Sequence, residues 1–373
     1  MLRLSMACVG KEELAALEPV FFETVNFGLG VHVQEFEKKI QEFLHTDAEV
    51  VCVNTGTAAV HLALEACQFP KGSEVIIPSI TFLASFSATS LAGLKPVPCD
   101  VVFPTCHLDC EDLEKRITDK TVAIMPVAYA GCDFDRKRLY EIARRHKLKV
   151  IEDDAHAFGS LNQDGVLFGA SGDVCCFSFD GIKNITCGEG GAIITHDKAL
   201  AHRLRVMRSL GIEKDVELRY KGTRAWDYDV QVQGFRYHMS NINAAIGTAQ
   251  LKKIGGFKEK KAALRREYHR QMDLQQVPLV PTQKEDMSSV LHIFSCILPK
   301  GAQRETVRGA LAKAGFESGI HYAPNHLHSL YASDYALPVS EDLGSRLISL
   351  PYHPQVPLTA VSEIIRVVGL SLS

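Results

Sequence analysis

The residues able to do covalent chemistry in this chain cluster between Lys149 and Ala192, in the stretches KVIEDDAHAFGS, DVCCFSF and DGIKNITCGEGGA. Lys183 stands just past the apolar run ending in Ser178, flanked by Gly181 and by Gly188, Gly190 and Gly191. Glycines at that density allow close approach of backbone and ligand. A lysine amine so placed can form a Schiff base with an aldehyde. Upstream, the β-branched Val150 and Ile151 run into Glu152, Asp153 and Asp154, so a strand delivers carboxylates to its C-terminal rim, where open α/β sheets place ligand crevices. An aspartate roughly 3 to 4 Å from a pyridine nitrogen keeps that ring protonated, because an opposite charge so close favours the cation. Lysine and aspartate together are what pyridoxal phosphate requires of a protein. The same pair also reads as a surface lysine and an acidic helix cap, and two residues alone do not separate the readings.

The elements that must position them follow from pattern. Residues 49–53 form a short apolar strand, then Asn54-Thr55-Gly56-Thr57 and the helical run AAVHLALEAC. A strand, Gly-Thr turn and helix start offer free N–H groups and a helix dipole to a phosphate; a threonine N-cap with nothing bound explains the same residues. Phe82, after a strand at 74–78, either packs in the core or stacks on a planar ring, and the sequence favours the core. Further strands are expected at 95–100, 122–127 and 192–195, with helices at 108–116 and 136–146, the last feeding the Val150 strand. Strands alternating with helices predict a largely parallel sheet covered on both faces. Before this lie a helix from 12, a turn at Gly28 and Gly30, and a helix from about Val33 with Phe36, Ile40 and Phe43 on one face.

After the sheet the chain reads as basic and irregular, from Arg203, Arg205 and Arg208 through Arg219 to Arg224. Ser240 then caps a helix with an apolar stripe of Ile242, Ala245, Ile246 and Ala249, followed by a charged run at 258–270 read as a solvated face. A strand at 291–298, a helix at 304–313, a strand at 320–322 and a final helix after Pro357 complete a small α+β unit. The expected division is 1–247, large and ligand-binding, and 248–373, small.

The 373 residues are 46% hydrophobic and 23% charged with net charge -3, the composition of an ordinary globular protein without the basic excess of a nucleic-acid-binding face. The opening MLRLSMACVGKEEL is too short an apolar run for a signal peptide, and no run of roughly 18 apolar residues exists to span a membrane. The eleven cysteines therefore read as reduced and mostly buried, and the protein as cytoplasmic. Cys106, His107 and Cys110 lack a second ligand pair, and His321, His326 and His328 lie in a segment broken by Pro324, so no metal site is expected.

With Gly56-Thr57, residues 78–84, Glu152-Asp153, residues 178–183 and residues 239–247 in order, the chain resembles the DegT/DnrJ/StrS family of sugar aminotransferases. The likeness runs from about Glu35 through His321-Tyr322-x-Pro324 to Leu350-Pro351. It implies the α/β architecture of pyridoxal phosphate fold type I: a large domain with a mostly parallel mixed sheet flanked by helices, plus a small C-terminal α+β domain. It implies that Lys183 holds the cofactor's aldehyde, Asp153 faces the ring nitrogen, Phe82 stacks on the ring, Gly56, Thr57 and Ser178 bind phosphate, and His156 lies near the phenolic oxygen. It also implies a homodimer with active sites at the interface, into which 234–239 reaches. There Arg236 replaces the family's asparagine and His238 its arginine; Arg236 is assigned to a phosphate, the cofactor's or the substrate's, and His238 and His326 to the substrate. Asp154 and Ala128 depart from the family's small residue and histidine and are expected to alter the sugar pocket. The implied reaction moves an amino group from L-glutamate to a nucleotide-linked (UDP or dTDP) keto-deoxy sugar by a ping-pong cycle without a metal. Related dehydratases carry histidine at the lysine position, so Lys183 argues against that chemistry; the intact set of Lys183, Asp153, Ser178 and Gly56 argues against a non-catalytic regulatory member.

Overall fold

The computed structural model describes residues 1–24, 26–214, 218, 221, 223, 226–283 and 289–372; Arg219 and Arg224 of the expected irregular run lie outside them. Strands β1 (Glu49–Val53), β2 (Glu74–Pro78), β3 (Lys95–Cys99), β4 (Thr121–Ile124), β5 (Lys149–Asp153), β6 (Val174–Ser178) and β7 (Gly191–Thr195) form one sheet in the order β1-β7-β6-β5-β4-β2-β3. Pairing is parallel from β3 through β6, and β7 runs antiparallel to both β6 and β1. The carboxyl ends of β1, β2, β5 and β6 therefore open on one edge.

The helices are α1 (Lys11–Pro19), α2 (Val31–Leu44), α3 (Gly56–Ala66), α4 (Ala84–Leu91), α5 (Cys110–Arg116), α6 (Arg136–His146), α7 (Lys198–Met207), α8 (Asn241–Leu251), α9 (Ile254–Leu274), α10 (Arg304–Lys313), α11 (Pro338–Arg346) and α12 (Leu358–Leu372). Because side chains alternate along a strand, Val50, Cys52, Val150 and Phe177 meet α2 and α6 on one face of the sheet, while Val51, Val53, Ile151 and Cys176 meet α3, α4 and α7 on the other. The mostly parallel, helix-covered sheet is the architecture expected from the sequence.

A second, antiparallel sheet in the order β10-β9-β8 joins β8 (Val280–Pro281), β9 (Phe294–Ile297) and β10 (Leu347–Leu350). Its core is closed by Leu264 and Tyr268 of α9, Leu311 of α10 and Ile364 and Ile365 of α12. The division at 247/248 falls inside the unbroken helix α8, and Leu2 pairs with Phe316, so the N-terminal residues lie against the second sheet's unit.

Three expectations are corrected. The run from Arg203 is not irregular up to Met207, since α7 begins after an Asp197 cap and turns Leu200, Ala201 and Leu204 inward. The charged run in α9 is not a solvated face: Leu264 and Tyr268 are buried one turn apart, and Lys261 and Arg265 are buried beside them. Residues 320–322 form no strand, since only Gly319 pairs with Ser349.

Arg208, 1% exposed at the end of α7, bonds Glu37 of α2 at 2.5 Å and the Cys52 carbonyl at 2.6 Å, while Glu37 also accepts from the Cys52 N–H at 2.8 Å. One ion pair thus locks two helices to β1. Removing one member of a buried pair leaves the other charged and uncompensated, so Glu37→Ala is expected to lower unfolding free energy by about 3 kcal/mol in urea titrations, against less than ~0.5 kcal/mol for the exposed Glu42→Ala.

Candidate active site at the carboxyl edge of the sheet

A cavity of about 550 Å³ opens where β1, β2, β5 and β6 end. Its walls include Gly56 and Thr57 from the start of α3, Phe82 before α4, Asp153 and His156 at and after β5, and Ser178 and Lys183 at and after β6. The second sheet's unit closes it with His292, His321 and Tyr322.

Lys183 is presented by a turn in which the Phe179 N–H bonds the Gly190 carbonyl and the Cys187 N–H bonds the Phe179 carbonyl. The glycines after it serve packing: a Cβ on Gly191 would stand 2.5 Å from the Thr55 carbonyl oxygen, and one on Gly190 would stand 2.7 Å from the Met239 methyl. Close approach is required there by the protein's own chain, not by a ligand. Burial lowers the Lys183 amine from its usual range to about 8, against the charges of Asp153 and Asp180, which raise it. At pH 7 roughly one amine in ten is then neutral and nucleophilic.

The buried carboxylate of Asp153 accepts from Ser85 Oγ at 2.7 Å and from the Ala155 N–H at 3.2 Å. Burial pushes its affinity for a proton up; the Ser85 hydroxyl, the Ala155 N–H and the Lys183 charge pull it down. A cationic ring N–H would pull it down further.

Thr55 caps α3, its Oγ1 accepting from the Ala58 N–H at 3.0 Å and its carbonyl from the Ala59 N–H at 3.1 Å. The N–H groups of Gly56 and Thr57 have no acceptor within the helix, and both residues line the cavity beside Ser178. Gly56 is required by contact: a Cβ there would lie 2.6 Å from Ser178 Cβ. Phe82, which the sequence favoured for the core, is 55% exposed on the cavity wall, its ring 5.7 Å from that of Tyr322. His156 Nδ1 accepts from the Ala130 N–H at 3.3 Å, so Nε2 carries the hydrogen and donates it to Tyr322 Oη at 3.0 Å. Burial, then the Lys183 charge, holds His156 well below its usual value and hence neutral. An amine beside an aldehyde-sized space, an acid for a ring nitrogen, an aromatic wall and a helix start for a phosphate together fit pyridoxal phosphate.

The other candidates lie elsewhere. Arg236 is exposed and His238 partly buried; their backbones pair with Ser209 and Val53, and neither side chain lines this chain's own cavity. His326 is buried outside the cavity, with Nδ1 2.6 Å from Ser79 Oγ, so it braces the loop carrying Phe82. Asp154 does not shape the cavity either. It points to the opposite side of the strand from Asp153, beside Glu152, whose carboxylate is held by Arg136 with both bonds at 2.6 Å. Burial and the neighbouring Glu152 push the Asp154 carboxyl well up from its ordinary range. Ala128 is a core residue whose N–H bonds the Asp153 carbonyl. Two contributors were missed, Ser85 and His292; the latter's signal was a titratable side chain in the otherwise mostly apolar run 290–298.

The chain matches the DegT/DnrJ/EryC1/StrS aminotransferase family over residues 7–369. Among solved structures it is similar to PseC of Helicobacter pylori, an aminotransferase involved in the biosynthesis of pseudoaminic acid. That likeness has TM-score 0.90 at 26% identity and covers 100% of this chain and 99% of that one. The PLP form of the putative sugar aminotransferase Spr1654 from Streptococcus pneumoniae gives 0.89 at 25% identity, covering 99% and 97%. DesV of S. venezuelae gives 0.86 at 30% identity, covering 96% and 94%.

Ser85→Ala removes an O–H donor that favours the Asp153 carboxylate. Titrating the cofactor into the cofactor-free protein at a series of pH values should show affinity lost as pH falls. In the variant that loss begins at higher pH, with about tenfold weaker binding at pH 6, the ~1.5 kcal/mol of a charge-assisted hydrogen bond.

Proposed function

This chain belongs to the DegT/DnrJ/EryC1/StrS aminotransferase family, and from that premise we propose that it moves an amino group from L-glutamate to a nucleotide-linked (UDP or dTDP) keto-deoxy sugar, yielding an amino sugar by a ping-pong cycle. The observation carrying this reading is the meeting of Lys183, Asp153, Ser178 and the start of α3 around one cavity.

Bound pyridoxal phosphate supplies a reactive carbonyl carbon and an electron sink. The chain's residues do the rest. Lys183, neutral in part at working pH, would remove the proton from the donor's α-carbon and return it two atoms away, at the former aldehyde carbon, and in the second half-reaction perform the same transfers in reverse. Asp153 would hold a proton on the ring nitrogen, and the Ser85 hydroxyl favours the ionised form of Asp153. The helix start and Ser178 would anchor the phosphate, Phe82 would cover the ring, and the His156–Tyr322 pair would hold the phenolic oxygen. No metal enters the cycle.

We assign Arg236 and His238 to a phosphate and sugar bound in the neighbouring copy of a homodimer acting in the cytoplasm. Their standing outside the cavity of their own chain supports this, as do the exposed Phe21, Phe22, Phe27 and Val31. Among the described residues no helix is long and apolar enough to cross a membrane. Guanidinium suits phosphate by charge and by its fork of donors.

The test is optical. Adding glutamate to the cofactor-loaded protein should shift the absorbance of the lysine-bound cofactor, and one member of a panel of UDP- and dTDP-linked keto sugars should restore it. Lys183→Ala is expected to keep the native circular dichroism and to show no glutamate-driven shift. A native-like variant that still cycles would refute the assignment of Lys183. Arg236→Ala should raise the Michaelis constant for the keto sugar, or weaken the cofactor, by at least ~10-fold.

A further inference from the structure

We propose that His292, delivered by the second sheet's unit, is a catalytic residue: the acceptor that receives the Lys183 amine whenever it is off the cofactor. This rests on the reading above that Lys183 carries the proton. His292 Nε2 stands 3.5 Å from Lys183 Nζ, the ring is only 2% exposed, and it lines the cavity.

The contact is held from both sides. The His292 N–H donates to the Ala130 carbonyl at 2.8 Å. Asn184, next to Lys183, donates from Nδ2 to the Val290 carbonyl at 2.9 Å. Lys261 of α9 donates to Asn184 Oδ1 at 2.8 Å and to the Leu291 carbonyl at 2.9 Å, tying the two segments together one residue away from the Lys183–His292 pair.

The chemistry selects acceptor over donor. The titratable groups facing His292 are Lys183, His156, Lys261 and His321, every one a cation or a neutral base; together with burial they keep the ring unprotonated. With Nε2 accepting from the amine, Nδ1 carries the ring hydrogen, and Nδ1 has no partner among the described residues. An unpartnered buried donor costs about 1–3 kcal/mol, which an apolar ring of similar size would avoid. A core filler does not explain that cost; a required acceptor at Nε2 does. When the amino donor displaces Lys183, the amine has an acceptor waiting. Once it has taken the α-proton, the resulting ammonium donates a hydrogen bond to Nε2 until the proton is handed back. No bond to His292 forms or breaks.

Two readouts separate this from a structural role. In cofactor-free protein, acylation of Lys183 is followed against pH by peptide mass spectrometry. His292→Phe removes an acceptor that favours the ammonium, so labelling at pH 7 should rise about fivefold as the midpoint falls by about one pH unit; His292→Gln, whose side-chain carbonyl accepts, should stay within about twofold of the parent. In loaded protein, His292→Phe should lower kcat at least ~10-fold with KM for the donor little changed, and His292→Gln should recover most of it. If the phenylalanine variant does not fold, His292→Asn, too short to reach, takes its place with the same expectations. Unmoved labelling in folded variants, or equal kcat for phenylalanine and glutamine variants, overturns the proposal. Labelling that shifts as stated in a parent protein inert to every amino donor would instead refute the functional reading and leave the acceptor role standing.

Discussion

The site depends on a mutual constraint between one amine and one carboxylate held at the same sheet edge. Burial drives Lys183 toward the neutral amine and Asp153 toward the neutral acid, while the charge of each pulls the other back. Neither group would be poised if the edge were wet, because solvent would return both to their ordinary values. The rest of the fold shields that edge from most of the solvent. Parallel strands bring both residues to it, α3 and α4 cover one face, and His292 and Tyr322 of the second sheet's unit close the mouth.

Lys183, Asp153, Gly56 and Ser178 were legible in the sequence because each sits where a strand ends or a helix begins, and such boundaries carry their own residue signals. Direction was not legible. Glu152, Asp153 and Asp154 form one acidic run, yet in an extended chain the outer two point away from the middle one. Asp154 therefore sits with Glu152 and Arg136 instead of facing a sugar. The resemblance implies a substrate role for His326, but a short helical turn at Asn325–Leu327 directs it to Ser79. Ser85 and His292 were missed because each acts on a residue far away in the chain, a relation that spacing does not encode.

The charged face of α9 shows the same limit. Lys261 looks solvated in a run of lysines and arginines, yet it is buried with two carbonyl acceptors. A neutral amine has two N–H groups, and both are used, which accords with burial lowering Lys261 to about 7. The helix that closes the second core thereby also fixes the loop of Lys183, so the packing of that core and the shape of the cavity are joined through one side chain.

Lys261 is also the natural rival to Lys183, being a buried amine even more readily deprotonated. The most direct test is to load the protein with pyridoxal phosphate, trap the lysine adduct with borohydride and map it by peptide mass spectrometry. The account predicts the adduct on Lys183 alone, since that amine shares the cavity with Asp153 and the start of α3 while Lys261 is consumed by Asn184 and Leu291. An adduct on Lys261, or on any lysine other than Lys183, would contradict it.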